Sequence, residues 1–270
     1  MEAQVTWVQA ITLGVLQGLT EFLPVSSSAH LVMGQAFLGL QEPMLLFDIL
    51  LHIGTLAAVV LVFGKDLWRI TRAWLLSLAG RAAGEDRASA RTAWFILLGT
   101  VPAGVVGMLF KHAIERTFAA PRLAAANLLI TGCLLFLSGG QMKGTRKEAQ
   151  LTWRDALWIG AFQAVAILPG ISRSGATIAA ALWAGLDREL AARFSFLLSV
   201  PAILGAFVLQ AKDLGATPPG AWAPMTVGTL TSAVVGTLTL VWLIQVVRRG
   251  NIQWFAYYCW AAGLLGLLLM

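Results

Sequence analysis

Long apolar runs alternate with short polar segments along the whole chain. Six of these runs are continuous, and they lie at residues 44–63, 94–110, 123–140, 194–211, 224–246 and 254–270. An α-helix rises about 1.5 Å per residue, so roughly 17 to 20 residues cross the hydrocarbon core of a bilayer. The pattern therefore predicts six transmembrane helices in an all-α polytopic membrane protein.

Two further apolar segments, at residues 6–40 and 153–186, are interrupted in the middle by Pro, Gly and Ser. The first break has the sequence LPVSSS at residues 23–28, and the second has LPGISRSG at residues 168–175. Irregular backbone at membrane depth is tolerated only where protein or a wet cavity surrounds it. We predict that each segment is a re-entrant hairpin of two short helices that does not cross the bilayer.

The two broken segments align with each other without a gap. Gln17 then matches Gln163, and the same register holds for Gly14 with Gly160, Ser26 with Ser172, Ser28 with Ser174, Gly39 with Gly185 and Leu40 with Leu186. The chain is therefore predicted to be a single membrane domain, residues 1–270, built from two repeats at about 1–140 and 153–270. Each repeat has one hairpin and three spans, and because three is odd the second repeat is inverted. Inverted repeats with broken helices bring a site to the repeat interface, so the hairpin tips should meet.

The charged residues set the orientation of this architecture. Hydrophobic residues make up 58% of the chain and charged residues 12%, whereas about a quarter is usual for soluble domains. The net charge of +6 does not indicate nucleic acid, because the Lys and Arg are confined to short segments between apolar runs. Fourteen of the 19 fall on one side in this topology, four on the other (Lys212 among them), and Arg173 lies in a hairpin. The positive-inside rule then places both termini in the periplasm of a bacterial inner membrane.

Ionisable side chains at membrane depth are costly and indicate function by default. The hairpins contain Glu21, His30 and Arg173, and Asp48 and His52 follow at the start of the first span. Structural alternatives exist for each of them: Glu21 with Arg173 could form a buried ion pair without chemistry, and either His could be merely hydrogen-bonded. An Arg, a His, a Glu and a row of hydroxyls nevertheless form a set suited to binding phosphate.

The spacing of these residues suggests how they are used. Gln17 and Glu21 are four apart and share a helix face, where they could hold a divalent cation or position a water. Ser27 and His30 are three apart, close enough for the imidazole to act as a base toward a hydroxyl or a water. The helix N-terminus after Pro24 offers free N–H groups to a phosphate. The predicted substrate-binding residues are Ser26, Ser172, Arg173, Ser174 and Thr177.

The motifs QGLTEFLPVSSSAH at residues 17–30 and PGISRSGAT at residues 169–177 resemble the two signature motifs of the undecaprenyl-diphosphate phosphatases, the bacitracin-resistance proteins. The resemblance extends over essentially the whole chain. It implies hydrolysis of undecaprenyl diphosphate to the monophosphate and orthophosphate, which recycles the lipid carrier for cell-wall synthesis and confers bacitracin resistance. It also implies a divalent cation, Mg²⁺ or Ca²⁺, and a site that opens to the periplasm.

The family motifs map onto Gln17, Glu21, Ser26, Ser27, His30, Ser172, Arg173 and Thr177. The first acidic position of the family motif is Gln17 here, and a neutral amide cannot be a general base. Asp48 is the nearest other candidate for a second carboxylate, so the predicted metal ligands are Gln17, Glu21 and Asp48. The predicted catalytic residues are Glu21, Ser27, His30 and Arg173.

Two questions stay open at the level of sequence. The nucleophile that His30 activates is either Ser27 or a metal-bound water, and the rival function is an inverted-repeat transporter or flippase for a polyprenyl phosphate lipid. The expected partners are undecaprenyl diphosphate and membrane lipids, without nucleic acid. A homodimer is an open alternative to a monomer.

Overall fold

A computed structural model describes residues 5–40, 44–139, 144–211, 218–250 and 252–270. Lys143 and Lys212, which entered the topology prediction, lie outside these ranges. Within them the chain is α-helical and contains no β-strand. The helices are α1 (Trp7–Thr20), α2 (Ser27–Phe37), α3 (Leu45–Leu78), α4 (Glu85–Leu109), α5 (Lys111–Thr117), α6 (Pro121–Gly139), α7 (Trp153–Val165), α8 (Arg173–Trp183), α9 (Arg188–Gln210), α10 (Trp222–Arg249) and α11 (Trp254–Leu269).

Five helices of the described chain, α3, α4, α6, α9 and α10, are long and apolar enough to cross a membrane, and α11 is a shorter apolar helix. Large apolar side chains on these helices point outward, as at Leu61, Leu109, Val208 and Leu268. Such a surface is stable against lipid rather than water. The protein is therefore a multi-pass membrane protein.

Helix α3 differs from the span that the sequence predicts. The apolar run ends at Phe63, whereas the helix, which is 34 residues long, continues to Leu78. Phe63 has non-helical backbone angles (φ −104°, ψ 15°) and marks a kink. The apolar run thus ends at a bend, and the charged continuation stays helical with Ile70 and Ala73 buried, while Arg69 pairs with Asp66.

Two units of helix, break and helix lie where the sequence predicts them, and we call them the first unit (α1 and α2) and the second unit (α7 and α8). Each begins with a capping box, in which Thr6 pairs with Gln9 and Thr152 with Asp155. The reciprocal hydrogen bonds of a capping box satisfy free N–H groups and fix the start of a helix. The two arms of each unit pack against each other.

Small residues pin the first arm of each unit against a long helix of the other half of the chain. Helix α1 packs on α10, where a Cβ added at Gly14 would lie 2.5 Å from the carbonyl oxygen of Gly228. Helix α7 packs on α4, where a Cβ at Gly160 would lie 2.3 Å from the carbonyl oxygen of Gly99. Close backbone approach of this kind needs glycine, so these contacts fix the depth and direction of both arms.

Candidate active site

The breaks of the two units meet at their tips. The backbone N–H of Gly170 donates to the hydroxyl of Ser28 over 3.4 Å, and the hydroxyl of Ser174 donates to the carbonyl of Leu23 over 3.3 Å. Each bond joins a serine hydroxyl of one unit to the backbone of the other: Ser28 accepts and Ser174 donates. The contact brings residues about 150 positions apart in sequence into one site, as the predicted meeting of the hairpin tips requires.

Glu21 lies at the centre of the site and is buried. Its Oε1 pairs with the guanidinium of Arg173. Its Oε2 accepts hydrogen bonds from the Ser27 hydroxyl (2.6 Å) and from the Gln17 amide (3.0 Å). The Nε2 of His52 lies 3.3 Å from the same oxygen. The Glu21 carboxylate is therefore oriented by a cation on one oxygen and placed to take a proton from Ser27 on the other.

Arg173 begins helix α8 and reaches across to Glu21 from the second unit. Its other terminal nitrogen donates to the carbonyl of Ser195 over 3.4 Å. Thr177 donates its hydroxyl to the Arg173 carbonyl (2.7 Å) and lies 2.6 Å from the Ser195 hydroxyl. Thr177, a predicted substrate-binding residue, thus uses its hydroxyl to contact Arg173 and Ser195. Nothing in the sequence pattern indicates a role for Ser195.

The structure places His30 differently from its predicted use as a base toward Ser27. Its Nδ1 donates to the carbonyl of Ser26 over 2.8 Å, and its Nε2 lies 2.8 Å from the hydroxyl of Tyr258. Both ring nitrogens are therefore engaged away from the Ser27 hydroxyl, which meets Glu21 instead. In this arrangement His30 holds the backbone of the first tip rather than contacting the Ser27 hydroxyl.

Backbone geometry explains why the first tip needs holding. Ser26 has φ of +64°, and it is the one residue other than glycine with positive φ in the described part of the chain. Positive φ costs a side-chain-bearing residue about 1 kcal/mol or more. The hydrogen bond from His30 to the Ser26 carbonyl offsets part of that cost.

The second tip has an ordinary helix start. Ser172 is the N-cap of α8, and its hydroxyl accepts from the backbone N–H of Gly175 over 3.1 Å. It also lies 3.2 Å from the hydroxyl of Ser174. An N-cap of this kind satisfies one of the free N–H groups of the first turn. The rest of that turn presents the positive end of the helix dipole beside Arg173, which suits an anion.

Helix α6 supports the second tip with two polar side chains in an otherwise apolar run. Asn127 donates to the carbonyl of Pro169 over 2.7 Å. Thr131 donates to the carbonyl of Gly170 (2.8 Å) and accepts from the N–H of Ser172 (3.0 Å). The sequence offered the signal for these residues, an Asn and a Thr inside the predicted span 123–140, but nothing to indicate what they contact.

A cavity of about 700 Å³ opens beside the two tips. Its polar end contains His52, which the sequence placed at the start of a span without assigning it a function. The apolar walls are helices α4 and α9. Lining side chains include Glu21, Ser27, Asp48, His52, Ser172 and Arg173 at the polar end, and Ala103, Met108, Leu204 and Val208 along the walls. A ligand with an anionic head and a hydrocarbon tail matches this division.

The predicted metal ligands are only partly brought together. Gln17 contacts Glu21, whereas the carboxylate of Asp48 accepts from the amide of Gln35 over 2.6 Å. The described residues contain no group of three or more His, Cys, Asp or Glu suited to a metal. The Oε1 of Gln17, however, is buried and lacks a partner among them. Mg²⁺ carried by a phosphate ligand needs only one or two protein oxygens, and Gln17 with Glu21 could supply these.

Comparison with known proteins gives consistent matches along the chain. The family described as bacitracin resistance protein BacA matches residues 10–265. The chain is 45% identical over 265 residues to an undecaprenyl-diphosphatase of Desulfatibacillum aliphaticivorans, covering 95% of this chain and 96% of the relative. It is 44% identical over 275 residues to one of Desulforapulum autotrophicum (96% and 97% covered). A third, of Methanobrevibacter smithii, is 43% identical over 265 residues (96% and 95% covered).

Proposed function

Because the chain belongs to the family of the bacitracin resistance protein BacA, we propose that it is an undecaprenyl-diphosphate phosphatase. It hydrolyses undecaprenyl diphosphate to undecaprenyl phosphate and orthophosphate, which returns the lipid carrier to cell-wall synthesis and confers bacitracin resistance. One observation carries the proposal beyond similarity. The Ser27 hydroxyl donates to Glu21 over 2.6 Å, with Arg173 on the other carboxylate oxygen, at the polar end of an apolar-walled cavity.

In the covalent mechanism, Ser27 Oγ attacks the terminal phosphorus of the substrate. Its proton passes to Glu21 Oε2 as the new P–O bond forms. The bond from the terminal phosphorus to the bridging oxygen breaks, and Glu21 passes the proton to the departing undecaprenyl phosphate. Water then attacks the phosphoserine, giving a proton to Glu21, and orthophosphate leaves as Ser27 is reprotonated. Arg173 turns from Glu21 to the phosphate and stabilises the charge that develops there.

The alternative mechanism uses the same residues without a phosphoenzyme. Glu21 takes a proton from a water, which attacks the terminal phosphorus while Ser27 orients it. The bond from that phosphorus to the bridging oxygen breaks, Glu21 passes the proton to the departing undecaprenyl phosphate, and orthophosphate leaves. A rapid acid quench of the enzyme with substrate labelled by ³²P in the terminal phosphate separates the two mechanisms. Label on the protein, absent from Ser27→Ala, supports the covalent mechanism. Unlabelled protein during turnover supports direct attack by water.

We also propose that a divalent cation, Mg²⁺ or Ca²⁺, takes part. When bound, it neutralises phosphate charge and stabilises the leaving group. Gln17 and Glu21 would hold it through their oxygens, and Asp48 lines the same cavity. The unpaired Oε1 of Gln17 supports this assignment.

For the membrane, we propose two inverted repeats whose broken units are re-entrant hairpins in a bacterial inner membrane. The site then opens to the periplasm, and both termini lie there. Reciprocal packing supports the repeat, since α1 contacts α10 as α7 contacts α4. The distribution of Lys and Arg supports the orientation. The orientation can be tested with single cysteines introduced in the 80–84 segment or in the 110–118 segment. A membrane-impermeant maleimide added to intact cells should react only with a cysteine in the 110–118 segment.

Orthophosphate release from undecaprenyl diphosphate by the detergent-purified protein tests the function. We expect release that depends on Mg²⁺ or Ca²⁺ and that Arg173→Ala abolishes without unfolding the protein. His30→Ala should lower release, because the first tip loses its hydrogen bond at the Ser26 carbonyl. Arg154→Ala is the control, because Arg154 is exposed and lies over the ring of Trp153, outside the cavity. No release from folded wild-type protein would reject the phosphatase and leave the flippase as the remaining candidate.

A further inference from the structure

Gln163, in the last turn of α7, is a buried polar side chain whose amide makes no hydrogen bond within the described chain. It is 3% exposed and lines the cavity. Neither its amide nitrogen nor its amide oxygen has a hydrogen-bond partner among the residues that the structure describes. An unpaired buried amide is costly, and most such groups in native proteins have a partner. Because Gln163 lines the cavity, a ligand bound there could supply that partner.

The equivalent residue of the first unit shows what Gln163 lacks. Gln17 aligns with Gln163 and donates its amide hydrogen to Glu21, one helical turn further along. The position that aligns with Glu21 in the second unit is Ile167, which is also four residues after its glutamine. The second unit therefore keeps the glutamine but has an apolar residue where its acceptor would be. An acceptor from a ligand would restore the missing hydrogen bond.

The surroundings of Gln163 leave its amide available to the cavity. Gly160, one turn earlier, packs directly on the backbone of Gly99, so Gln163 lies next along the seam between α7 and α4. Thr100 lines the cavity there, but its hydroxyl donates to the carbonyl of Ile96 over 2.9 Å. That hydroxyl is already used within its own helix and does not satisfy Gln163.

We propose that Gln163 binds the diphosphate head group of the substrate, with its amide N–H donating to a phosphate oxygen. The inference rests on the proposed function, since that function supplies the diphosphate. Ser172 and Arg173 line the same cavity, so the second unit would hold the anion through a guanidinium and a neutral amide together. Hydrogen bonds to a charged acceptor are about twice as strong as those between neutral groups. Gln163 binds substrate in this scheme and transfers no proton.

Kinetics and stability together test this role. Gln163→Leu and Gln163→Met remove the amide while keeping most of the side-chain volume. Loss of a hydrogen bond to a charged group should raise KM for undecaprenyl diphosphate by about 10- to 100-fold. The unfolding midpoint without substrate should not fall, because the lost amide was unpaired. A structural role would instead lower the midpoint.

Trp74→Phe is the matched control. The indole N–H of Trp74 is also buried and unpaired within the described chain, but Trp74 does not line the cavity. Its replacement should leave KM unchanged, whereas the unfolding midpoint falls because the smaller ring loses packing against Trp94 and the core. A KM of Gln163→Leu and Gln163→Met within twofold of wild type overturns the inference, because the amide would then bind only buried water. A midpoint lowered in both variants together with a raised KM overturns it as well, in favour of a structural role.

Substrate-induced stabilisation separates this inference from the proposed function. Undecaprenyl diphosphate should raise the unfolding midpoint of wild-type protein and of Trp74→Phe. The increase for Gln163→Leu should be much smaller. If wild type releases no orthophosphate and yet shows this pattern, the phosphatase is rejected and the head-group site stands. If the variant is stabilised as much as wild type, the head-group site is rejected whether or not hydrolysis occurs.

Discussion

The two units share a scaffold of hydroxyls. The hydroxyls of Ser26 and Ser28 lie 3.1 Å apart in the first unit, and those of Ser172 and Ser174 lie 3.2 Å apart in the second. The four serines occupy aligned positions in the sequence. The paired hydroxyls are therefore a frame that both halves of the chain share, although the backbone angles at Ser26 and Ser172 differ.

The residues set in that frame differ. Between the paired serines the first unit has Ser27 and the second has Arg173, and the first unit has Glu21 where the second has Ile167. One unit thus supplies a hydroxyl and a carboxylate, and the other supplies a cation for the anion. Neither unit is a complete site, so the comparison teaches that the chemistry depends on the contact between them.

The largest effect expected from breaking this contact is on catalysis. Glu21→Gln and Arg173→Gln should each lower orthophosphate release on the order of 10³-fold or more, because each removes a charge that acts in the transition state. Each should also lower the free energy of unfolding by about 3 kcal/mol, since the partner is left as a buried, unpaired charge. The double variant should recover most of that stability and none of the activity, as measured by phosphate release and unfolding of all four proteins.

Arg173→Lys sharpens the same test. It keeps the charge but loses the planar donor fork of the guanidinium, so we expect stability near wild type with activity still strongly reduced. If Glu21→Gln retained more than a tenth of wild-type activity, the assignment of the catalytic carboxylate to the first unit and of the cation to the second would be contradicted.

A large effect on stability is expected where the second tip turns. Gly170 has φ of +99°, and a Cβ there would lie 2.2 Å from the carbonyl oxygen of Ala124 and 2.4 Å from the Cβ of Asn127. Gly170→Ala should therefore lower the free energy of unfolding by about 2 to 3 kcal/mol. Gly64→Ala is the control, because a Cβ there meets nothing within 4 Å and should gain up to about 1 kcal/mol. Equal midpoints for the two variants would refute this account.

The sequence predicts the helical breaks, because Pro and Gly interrupt otherwise apolar runs, and it predicts that the two tips meet, because the broken segments align as repeats. The ion pair of Glu21 with Arg173 is one structural alternative among these expectations. The sequence does not predict the bond from Ser27 to Glu21. The two residues lie on opposite sides of the break, and helical spacing carries no information across irregular backbone. Tyr258, the partner of His30, is 228 residues away, a distance at which neither periodicity nor motif indicates a contact.

A smaller effect should distinguish the backbone of the two tips. Ser26→Gly should raise the free energy of unfolding by about 1 kcal/mol, because glycine adopts its positive φ without steric cost. Ser172→Gly, the aligned change, should lower it by a few tenths, roughly the cost of exchanging a serine N-cap for glycine. Thermal unfolding of the two variants in the same detergent measures the difference. If both variants were more stable than wild type, the difference in backbone angles between Ser26 and Ser172 would not explain their stability.

The smallest effect tests whether the cross-tip hydrogen bonds are equivalent. Ser28→Ala and Ser174→Ala each remove one of them, and both bonds, at 3.4 and 3.3 Å, are longer than the usual range. Each variant should therefore lose only about 0.5 kcal/mol and keep activity within a few-fold of wild type. Similar losses, with an additive double variant, would mean that the two units contribute equally to the contact even though their chemistry differs. If only one of the two variants lost stability, one tip would hold the other in place. The two units would then be equivalent in sequence alignment but not in their contribution to the contact.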